Sequence, residues 1–464
     1  MAKVATTSAP QEGKSPSVAF FRHAPVFAVA ATAVVLGYRF FHFISLYSIN
    51  VLVFDQWDFL TDFFEGTPTL AKLFFRQHGP HREGVGLIAD KVLYPLTRWN
   101  VRVESFMIGS CIVVAMLLAL VLKRRLFGRF TFSDVAIPMM FLTLVQFETM
   151  VGTPNPAYSG FPLLLIMLYA LALLLENTLL RYSLVLFLNS LLIFTGFGFF
   201  MGPVTLGIFA VEGYWSLRRM NRVPLIAPIA AFLAAGASLG AFFIHYALLP
   251  AVSCFKFPID KPVLYPEFMG LMFSEFVDFT HPLFRAHLRS APRGGAAILL
   301  AAVAMLAIQV FGRRARAGRW DAGWIGAVLL AFSLLFSAGT AIGRVCLGPA
   351  SALASRYATL LIPAFLGMYL GLLLLTWKQL RNTALSLFVL LLLSGDVLIP
   401  EWVRRVVDGK RDWVTCYLRT EDIDFCDAAT KFRIYPRPEA TGLKQKLQYL
   451  KERRLSFFAD QVTK

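Results

Sequence analysis

The stretch ESFMIGSCIVVAMLLALVLKRR, Glu104 to Arg125, decides the fold class of this chain. Its apolar part carries no charged side chain and is followed directly by three basic residues. An apolar run of about 18 residues crosses a hydrocarbon core of about 30 Å as a helix. Lipid offers the backbone no hydrogen-bonding partner, so a helix is the expected conformation. The stretch therefore predicts a membrane-spanning helix with a basic end at the membrane surface.

The same pattern recurs along most of the chain. The 464 residues are 57% hydrophobic and 16% charged, with a mean hydropathy of +0.63. A soluble domain would carry charge on about a quarter of its residues. The sequence therefore predicts an all-α polytopic membrane protein with about eleven transmembrane helices. The expected spans cover about 25–48, 104–122, 134–147, a fourth ending at Glu176, 182–197, 201–216, 224–247, an eighth reaching Arg313, 322–342, 357–376 and 383–400.

The net charge of +17 comes from small basic clusters that stand between the apolar runs, as in loops at a membrane surface. This distribution argues against nucleic acid as a partner. No zinc-finger or aromatic-rich RNA motif accompanies the basic residues.

The two short connections 148–158 and 197–203 contain no Lys or Arg. Basic loops lie on the cytoplasmic side of membranes. Every second connection is basic, namely the leader, 123–129, 218–222, 313–319 and 378–381.

This asymmetry predicts a multi-pass protein with a cytoplasmic N-terminus and an extracytoplasmic C-terminus. An even number of spans would put the tail in the cytoplasm instead. Cys416 and Cys426 lie close together in the tail, where a disulfide and two free thiols are both open interpretations. Three regions are expected: a cytoplasmic leader (1–24), a transmembrane domain (25–400) that includes outer loops 49–103 and 248–294, and a small extracytoplasmic C-terminal domain (401–464).

The segment VFDQWDFL, Val53 to Leu60, follows the first apolar run and places two acids among aromatic residues. Asp55 and Asp58 are three residues apart, so they share a face if the segment is helical. Two interpretations are open, an interfacial helix whose acids face water or a catalytic base at the membrane rim. A carboxylate there could deprotonate an acceptor hydroxyl that attacks an activated sugar.

The motif HGPHREG, His78 to Gly84, follows in the same outer loop. His78 and His81 could bind a divalent cation together with the aspartates, although their spacing alone is weak evidence for a metal site. Arg82 is the candidate for phosphate recognition, because a guanidinium suits that anion. The alternative is that Gly79-Pro80 only makes a turn and that the histidines face water.

The stretch AIGRVCLGPASALASRYATLL, Ala341 to Leu361, places Arg344 and Arg356 at the outer ends of two predicted spans. Arginine at this depth is costly unless it is paired or faces a polar cavity. Each arginine alone could reach lipid headgroups, but two at one level favour a bound phosphate, with Tyr357 beside them. Glu148 and Asn155, in the charge-poor connection before the fourth span, are further candidate cavity residues.

Together these features resemble the C-type (GT-C) membrane glycosyltransferases, polytopic enzymes that use polyprenyl-phosphate sugars. The resemblance is carried by DQWDFL at 55–60, QHGPHRE at 77–83 and GR…ASRYAT at 343–359. The tail, with its paired cysteines and closing LKERRLSFF, is similar to that of a bacterial branch of such proteins. The topology of nearly the whole chain fits the resemblance, whereas its motifs cover about thirty residues.

The resemblance implies a glycosyltransferase of a bacterial inner membrane. It would move a sugar from a polyprenyl-phosphate donor to a hydroxyl of a glycan or lipid acceptor, at the extracytoplasmic face and with inversion. Asp55 would be the general base. Many members carry a second, adjacent acid where this chain has Gln56, so Asp58 is the residue that could support Asp55.

The same resemblance assigns the donor phosphate to Arg344 and Arg356. These two arginines and Asp55 are therefore expected to converge on one cavity at the outer leaflet. Arg82 or His81 would assist near the leaving group. Stabilising the departing polyprenyl phosphate would be the main electrostatic contribution of these residues. Membrane lipids are expected partners, and neither the sugar nor the acceptor is identified.

The alternatives are a transporter or flippase of lipid-linked saccharides and a non-catalytic assembly subunit. A transporter is expected to place ionisable residues near mid-membrane and to contain broken helices in corresponding halves. Here the charges gather at the predicted outer rim and no internal repeat is visible, which favours surface chemistry. No nucleotide-binding fingerprint is present, so no ATP or NAD cofactor is predicted, and dependence on a divalent cation is left open.

Overall fold

The structure is a computed structural model that describes residues 16–219, 223–248, 252–277, 291–311, 319–395, 401–435 and 442–461. Much of the predicted leader, part of the second outer loop and most of the basic cluster at 313–319 therefore lie outside the described residues. The helices that precede the fifth expected span are α1 (Pro16–Tyr47), α2 (Gln56–Phe59), α3 (Thr61–Glu65), α4 (Leu70–Phe74), α5 (Gly84–Thr97), α6 (Val101–Phe127), α7 (Ala136–Phe141) and α8 (Gly160–Ala172).

The second half of the chain continues in the same way. Its helices are α9 (Thr178–Ile193), α10 (Met201–Leu217), α11 (Ile226–Phe242), α12 (Leu264–Ser274), α13 (Ala291–Phe311), α14 (Ala322–Arg344), α15 (Ala358–Leu373), α16 (Lys378–Ser394), α17 (Glu401–Thr420), α18 (Ile423–Thr430) and α19 (Leu443–Glu452). One π-helix (Glu148–Gly152) and several 3₁₀ turns, among them Pro156–Tyr158, Gly196–Phe200 and Ser355–Tyr357, connect them.

Among the described residues, six helical segments are long and apolar enough to cross a membrane. The chain is thus an all-α protein with membrane-length apolar helices, as the sequence predicts. In an 18-residue window of the segment near the N-terminus, 11% of the residues are buried inside the protein, and in a window of the last segment 83% are buried. The first segment therefore lies at the periphery and the last in the centre. The six segments are His23–Tyr47, Val101–Phe127, Gly196–Leu217, Ala291–Phe311, Ala322–Leu347 and Ser355–Leu373, and shorter apolar helices lie at Phe132–Gln146, Gly160–Ala172, Thr178–Ile193 and Ile226–Phe242.

The segment between α1 and α6 folds as short helices and one hairpin. The hairpin pairs β1 (Gln77–His78) with β2 (His81–Arg82), with His78 opposite His81. Gly79, at φ +55°, makes the turn, a conformation that glycine adopts without strain. Gly84 begins α5 so close to Phe74 that a Cβ would lie 2.1 Å from the Phe74 carbonyl oxygen. These glycines bring His78 and the start of α5 together.

The C-terminal helices pack on this outer segment. Trp57 and Leu60 share one apolar cluster with Trp413 and Leu447, all fully buried. Tyr435 donates to Asp58 Oδ2 at 2.6 Å, and Lys446 donates to Thr61 Oγ1 at 2.9 Å. The region expected to form a small separate cap is therefore tied to the segment that carries the two acids.

Two disulfides cross-link described segments. Cys416 and Cys426 are bonded, which resolves one of the two interpretations left open by the sequence. Cys254 and Cys346 form a second bridge across 92 residues, with a Cα–Cα distance of 5.9 Å. The sequence did not predict this second pair, because its two cysteines are far apart in the chain. Cys111 is the free thiol among the described cysteines.

The basic end of α6 is partly inside the protein. Lys123 is 1% exposed and forms an ion pair with Asp134 at 2.5 Å. Tyr369 donates to the other oxygen of Asp134, also at 2.5 Å. A buried charge persists only when it is paired and hydrogen-bonded, so Lys123 is a structural cation and not a free loop charge.

Candidate functional site

A polar cavity of about 290 Å³ lies where the first outer segment meets the turns before α8 and α15. Five of the predicted site residues line it, namely Asp55, His78, Glu148, Asn155 and Arg356. They come from four separate stretches of the chain. The remaining lining residues are Phe54, Gln56, Phe59, Thr149, Thr153 and Tyr158.

Asp55 is placed by the residues on either side of it. Phe54 adopts φ +50°, and its backbone N–H donates to the Ile434 carbonyl at 2.6 Å. The Gln56 side chain accepts from the Val53 N–H at 3.0 Å and donates to the Pro154 carbonyl at 2.9 Å. Gln56, which stands where the resemblance expects a second acid, is therefore a buried tether that fixes the start of α2.

Arg356 is held by Glu148. Its Nη1 donates to Glu148 Oε1 at 3.0 Å, and its backbone N–H donates to Oε2 at 3.3 Å. The Glu148 N–H in turn donates to Ser355 Oγ at 2.9 Å. The Arg356 side chain remains 33% exposed. Arg356 is thus paired with Glu148 and still lines the cavity.

The second outer segment contributes a further acid beside this ion pair. Burial raises the pKa of Glu275 well above its ordinary value, and the charge of Glu148 adds to that effect while Arg356 opposes it. Glu275 was one of many charged residues in that segment, and the sequence offered no spacing that singled it out. The tertiary structure brings it to the Glu148–Arg356 pair.

Glu83 is a site residue that the sequence reasoning did not select. Its side chain is fully buried and receives hydrogen bonds from Asn155 Nδ2 at 2.9 Å, from the Tyr158 hydroxyl and from His78 Nδ1, 3.2 Å away. Burial opposes ionisation of Glu83, but these bonds hold its pKa below the ordinary value. Its position directly after the hairpin was the available signal, since a hairpin returns the chain to its own start.

An apolar cavity of about 710 Å³ adjoins the polar one. Arg344 and His81 lie on its wall, and half of the remaining lining residues are aromatic. Burial, with a contribution from the Arg344 charge, lowers the pKa of His81 to about 4, so this histidine is neutral. The aromatic lining residues are Phe197, Phe199, Phe200, Phe242, Phe243, Tyr246 and Phe255.

The hairpin lies between the two cavities. His78 lines the polar one, whereas Pro80 and His81 line the apolar one. The His81 ring contacts Tyr158 of the polar cavity, with the ring centroids 5.6 Å apart. Asp55 and Arg356 therefore share one cavity and Arg344 lies in its neighbour, whereas the sequence predicted that all three would meet in one.

Two predicted site residues are used elsewhere. Arg82 is 2% exposed, and its Nε donates to the Phe242 carbonyl at 2.6 Å while Nη1 and Nη2 donate to the carbonyls of Phe75 and Ile244. Arg82 lines neither cavity. Asp58 accepts from Tyr435 and lies outside the polar cavity as well. Both residues hold the outer segment together.

Tyr357 is fully buried next to Arg356 and does not line the polar cavity. The Arg356 guanidinium lies 5.5 Å from the centroid of its ring. The Tyr357 ring also contacts Phe197 and Phe336, with centroid distances of 6.4 and 6.2 Å. Tyr357 therefore supports Arg356 from below.

Within the described part of the chain, no group of three or more His, Cys, Asp or Glu side chains is arranged to hold a metal ion. His78 and His81, for which a cation site with the aspartates was left open, line different cavities. Comparisons with profiles of protein families, with curated proteins and with solved structures found no match to this chain.

Proposed function

We propose that the protein is an inverting membrane glycosyltransferase that moves a sugar from a polyprenyl-phosphate donor to an acceptor hydroxyl. The observation that carries this proposal is the pair of adjoining cavities. One is polar and contains Asp55 and Arg356, and the other is large, aromatic and has Arg344 on its wall. A ligand with a long apolar chain, an anionic phosphate and a polar sugar matches this division.

Each cavity would receive one part of the donor. The apolar cavity suits the polyprenyl chain, and Arg344 suits the phosphate to which that chain is attached. The phosphate would lie where the two cavities adjoin, between Arg344 and Arg356, and the sugar and the acceptor hydroxyl would occupy the polar cavity beside Asp55. Membrane lipid would give the donor direct access to the apolar side.

The reaction would need one base and a group that stabilises the leaving anion. Asp55 would take the proton of the acceptor hydroxyl while that oxygen forms a bond to the anomeric carbon. The bond from the anomeric carbon to the phosphate oxygen breaks, and its electron pair leaves with the polyprenyl phosphate. Arg356 and Arg344 would stabilise the second negative charge that appears on this phosphate.

The proposal includes a topology of about eleven spans with the outer segments and the tail outside a bacterial inner membrane. The two disulfides support this arrangement. Their cysteines, Cys254, Cys346, Cys416 and Cys426, all belong to segments that the charge pattern assigns to one side. Disulfides persist in oxidising compartments, such as the bacterial periplasm.

The test compares Asp55→Asn and Arg356→Gln with the unmodified full chain in proteoliposomes. Transfer of labelled sugar from a polyprenyl-phosphate sugar is measured, and thermal unfolding in detergent checks the fold. We expect each variant to lose at least about 100-fold in transfer rate. Asp412→Asn, at an exposed position of α17, is the matched control and should transfer normally.

Two results would overturn the proposal. Transfer by Asp55→Asn at the unmodified rate would exclude Asp55 as the base. Movement of the intact labelled donor across the vesicle membrane, without cleavage of its sugar–phosphate bond, would favour the alternative of a transporter or flippase. The same vesicles distinguish these outcomes, because cleavage and translocation are measured separately.

A further inference from the structure

Glu83 and His78 form a fixed pair at the edge of the polar cavity. The hairpin places His78 Nδ1 3.2 Å from Glu83 Oε1. Glu83 is fully buried, whereas the His78 side chain is 24% exposed and lines the cavity. With Nδ1 directed at Glu83, Nε2 is the ring nitrogen that is left for the cavity.

The Glu83 carboxylate cannot easily turn away from His78. Asn155 and Tyr158 donate to it from the turn before α8. Gly196 lies beside both residues, because a Cβ there would lie 2.6 Å from a ring carbon of Tyr158 and 3.7 Å from Glu83 Cγ. Tyr158 is thus held against Glu83, and Glu83 against His78.

The charges around His78 favour its cationic form. Burial alone would lower the pKa of His78, but Glu83, Asp55 and Asp58 raise it above its ordinary value of 6.5. His81, the opposite residue in the hairpin, is neutral and does not oppose this. A buried carboxylate without a cation would be costly, so the two groups stabilise each other's charges.

We propose that Glu83 is a positioning residue that holds His78 with Nε2–H directed into the polar cavity, where His78 and Arg356 together bind a phosphate oxygen. This inference rests on the proposed function and assigns His78 to the leaving phosphate. The donor is a phosphate diester with one negative charge, and the leaving group is a monoester with two. His78 donates a hydrogen bond to the oxygen that gains the charge and keeps its proton.

The same geometry fixes a pH dependence. His78 is cationic below its pKa, so its contribution is present at low pH and is lost as the pH rises through that value. Glu83→Gln removes the charge that raises the pKa but keeps an oxygen that can accept from Nδ1–H. We therefore expect the loss to occur at lower pH in Glu83→Gln than in the unmodified protein.

The probe is inorganic phosphate, added to the full chain in detergent at pH 7.5. Its affinity should fall about tenfold in His78→Gln and in Glu83→Gln. His245→Gln, at an exposed position outside both cavities, is the control and should bind phosphate normally. Histidine NMR on the unmodified protein should show a His78 pKa above 6.5 and a shift of its Nε2 resonance on addition of phosphate.

Transfer assays provide the second measurement. The rate should fall about tenfold through kcat in both variants, with KM nearly unchanged, because the contact strengthens as the leaving group departs. If the unmodified protein transfers no sugar, the proposed function fails and the phosphate measurements still decide this inference. Equal phosphate affinity in the unmodified protein and both variants would overturn it, as would loss in His78→Gln without loss in Glu83→Gln. If Glu83→Gln does not fold, the NMR measurement on the unmodified protein decides instead. A His78 Nε2 resonance that does not shift on addition of phosphate would overturn the inference.

Discussion

Asp55, Gln56 and Asp58 are close neighbours in the chain but have three different surroundings. Asp55 lines a cavity together with His78 and Arg356. Gln56 forms hydrogen bonds with two backbone groups, and Asp58 accepts a hydrogen bond from the Tyr435 hydroxyl. Spacing predicted that the two acids share a face of a helix, and the resemblance added Asp58 as a possible support for Asp55. The partners supplied by distant segments separate them.

Arg82 illustrates the same point for a cation. In the sequence it is an arginine in an outer loop, beside two histidines and an acid. In the structure it satisfies three backbone carbonyls, and its guanidinium also lies 5.7 Å from the ring centroids of Phe75 and Phe242. Arginine suits this position because its planar group has several fixed donors.

We expect Arg82→Met to destabilise the protein. The substitution leaves three inward-facing carbonyls without donors, which costs about 3 kcal/mol or more. Thermal unfolding in detergent measures this as a lower Tm. Arg82→Lys should not restore stability, because an ammonium group cannot reproduce the fork of donors. Arg102→Met, at an exposed position of α6, should leave the Tm nearly unchanged, and an equal effect of the two Met variants would contradict the assignment.

At the scale of elements, the turns between helices carry the site. The hairpin, the π-helix at Glu148–Gly152 and the 3₁₀ turns Pro156–Tyr158 and Ser355–Tyr357 supply most of the polar lining residues. The C-terminal helix α17 supports one of them, because buried Lys410 donates to the Val151 carbonyl at 2.9 Å and to that of Gly152. Hydropathy locates helices well and says little about such turns, because their shape depends on hydrogen bonds to other segments.

Gly196, the first residue of the neighbouring 3₁₀ turn Gly196–Phe200, is a position where a side chain should destabilise the protein. It has φ +63°, and an added Cβ would meet the ring of Tyr158. We expect Gly196→Ala to cost about 2 kcal/mol through backbone strain and displacement of that ring. Thermal unfolding measures the cost, and loss of phosphate binding should accompany it.

Gly207 provides the matched control for this substitution. It lies in the neighbouring helix α10, and an added Cβ would meet no atom within 4 Å. Gly207→Ala should keep or slightly raise the Tm, because alanine favours a helix more than glycine does. Equal destabilisation by both substitutions would show that the crowding at Gly196 is not the cause.

At the scale of the whole molecule, the disulfides report on sidedness. Cys254 and Cys346 join the second outer segment to the 3₁₀ turn Val345–Leu347, which directly follows Arg344 at the end of α14. Phe255 and Arg344, next to or near the two cysteines, both line the apolar cavity. The bridge therefore ties together two parts of that cavity's wall.

We expect one polyethylene-glycol maleimide to attach per chain when the non-reduced protein is denatured, because Cys111 is the free thiol among the five cysteines. Reduction before labelling should give adducts at all five. Cys254→Ser should release Cys346 and give a second adduct without reduction, and Cys416→Ser should do the same for Cys426. Gel mobility measures each state, and five adducts on the non-reduced protein from cells would contradict both the disulfides and the proposed sidedness.

The sequence allowed part of the site to be predicted. Asp55, His78, Glu148 and Arg356 were selected from their residue types and their places beside apolar runs, and all four line the polar cavity. Glu83 was not selected, since its importance arises from hydrogen bonds to Asn155 and Tyr158, more than 70 residues away. Arg344 was assigned to the same cavity as Asp55, and the hairpin separates them.

Residue types and the lengths of the apolar runs are sufficient to predict a helical membrane protein, because the transfer of an apolar run into lipid depends on the run's own residues and length. Which polar side chains share a cavity depends instead on the packing of segments that are distant in the chain. A polar side chain near the membrane must find a partner or water, and that partner can come from any segment that the packing brings close. Asp55, His78, Glu148 and Arg356 line one cavity for this reason, whereas Arg82 and Asp58 bind other parts of the protein.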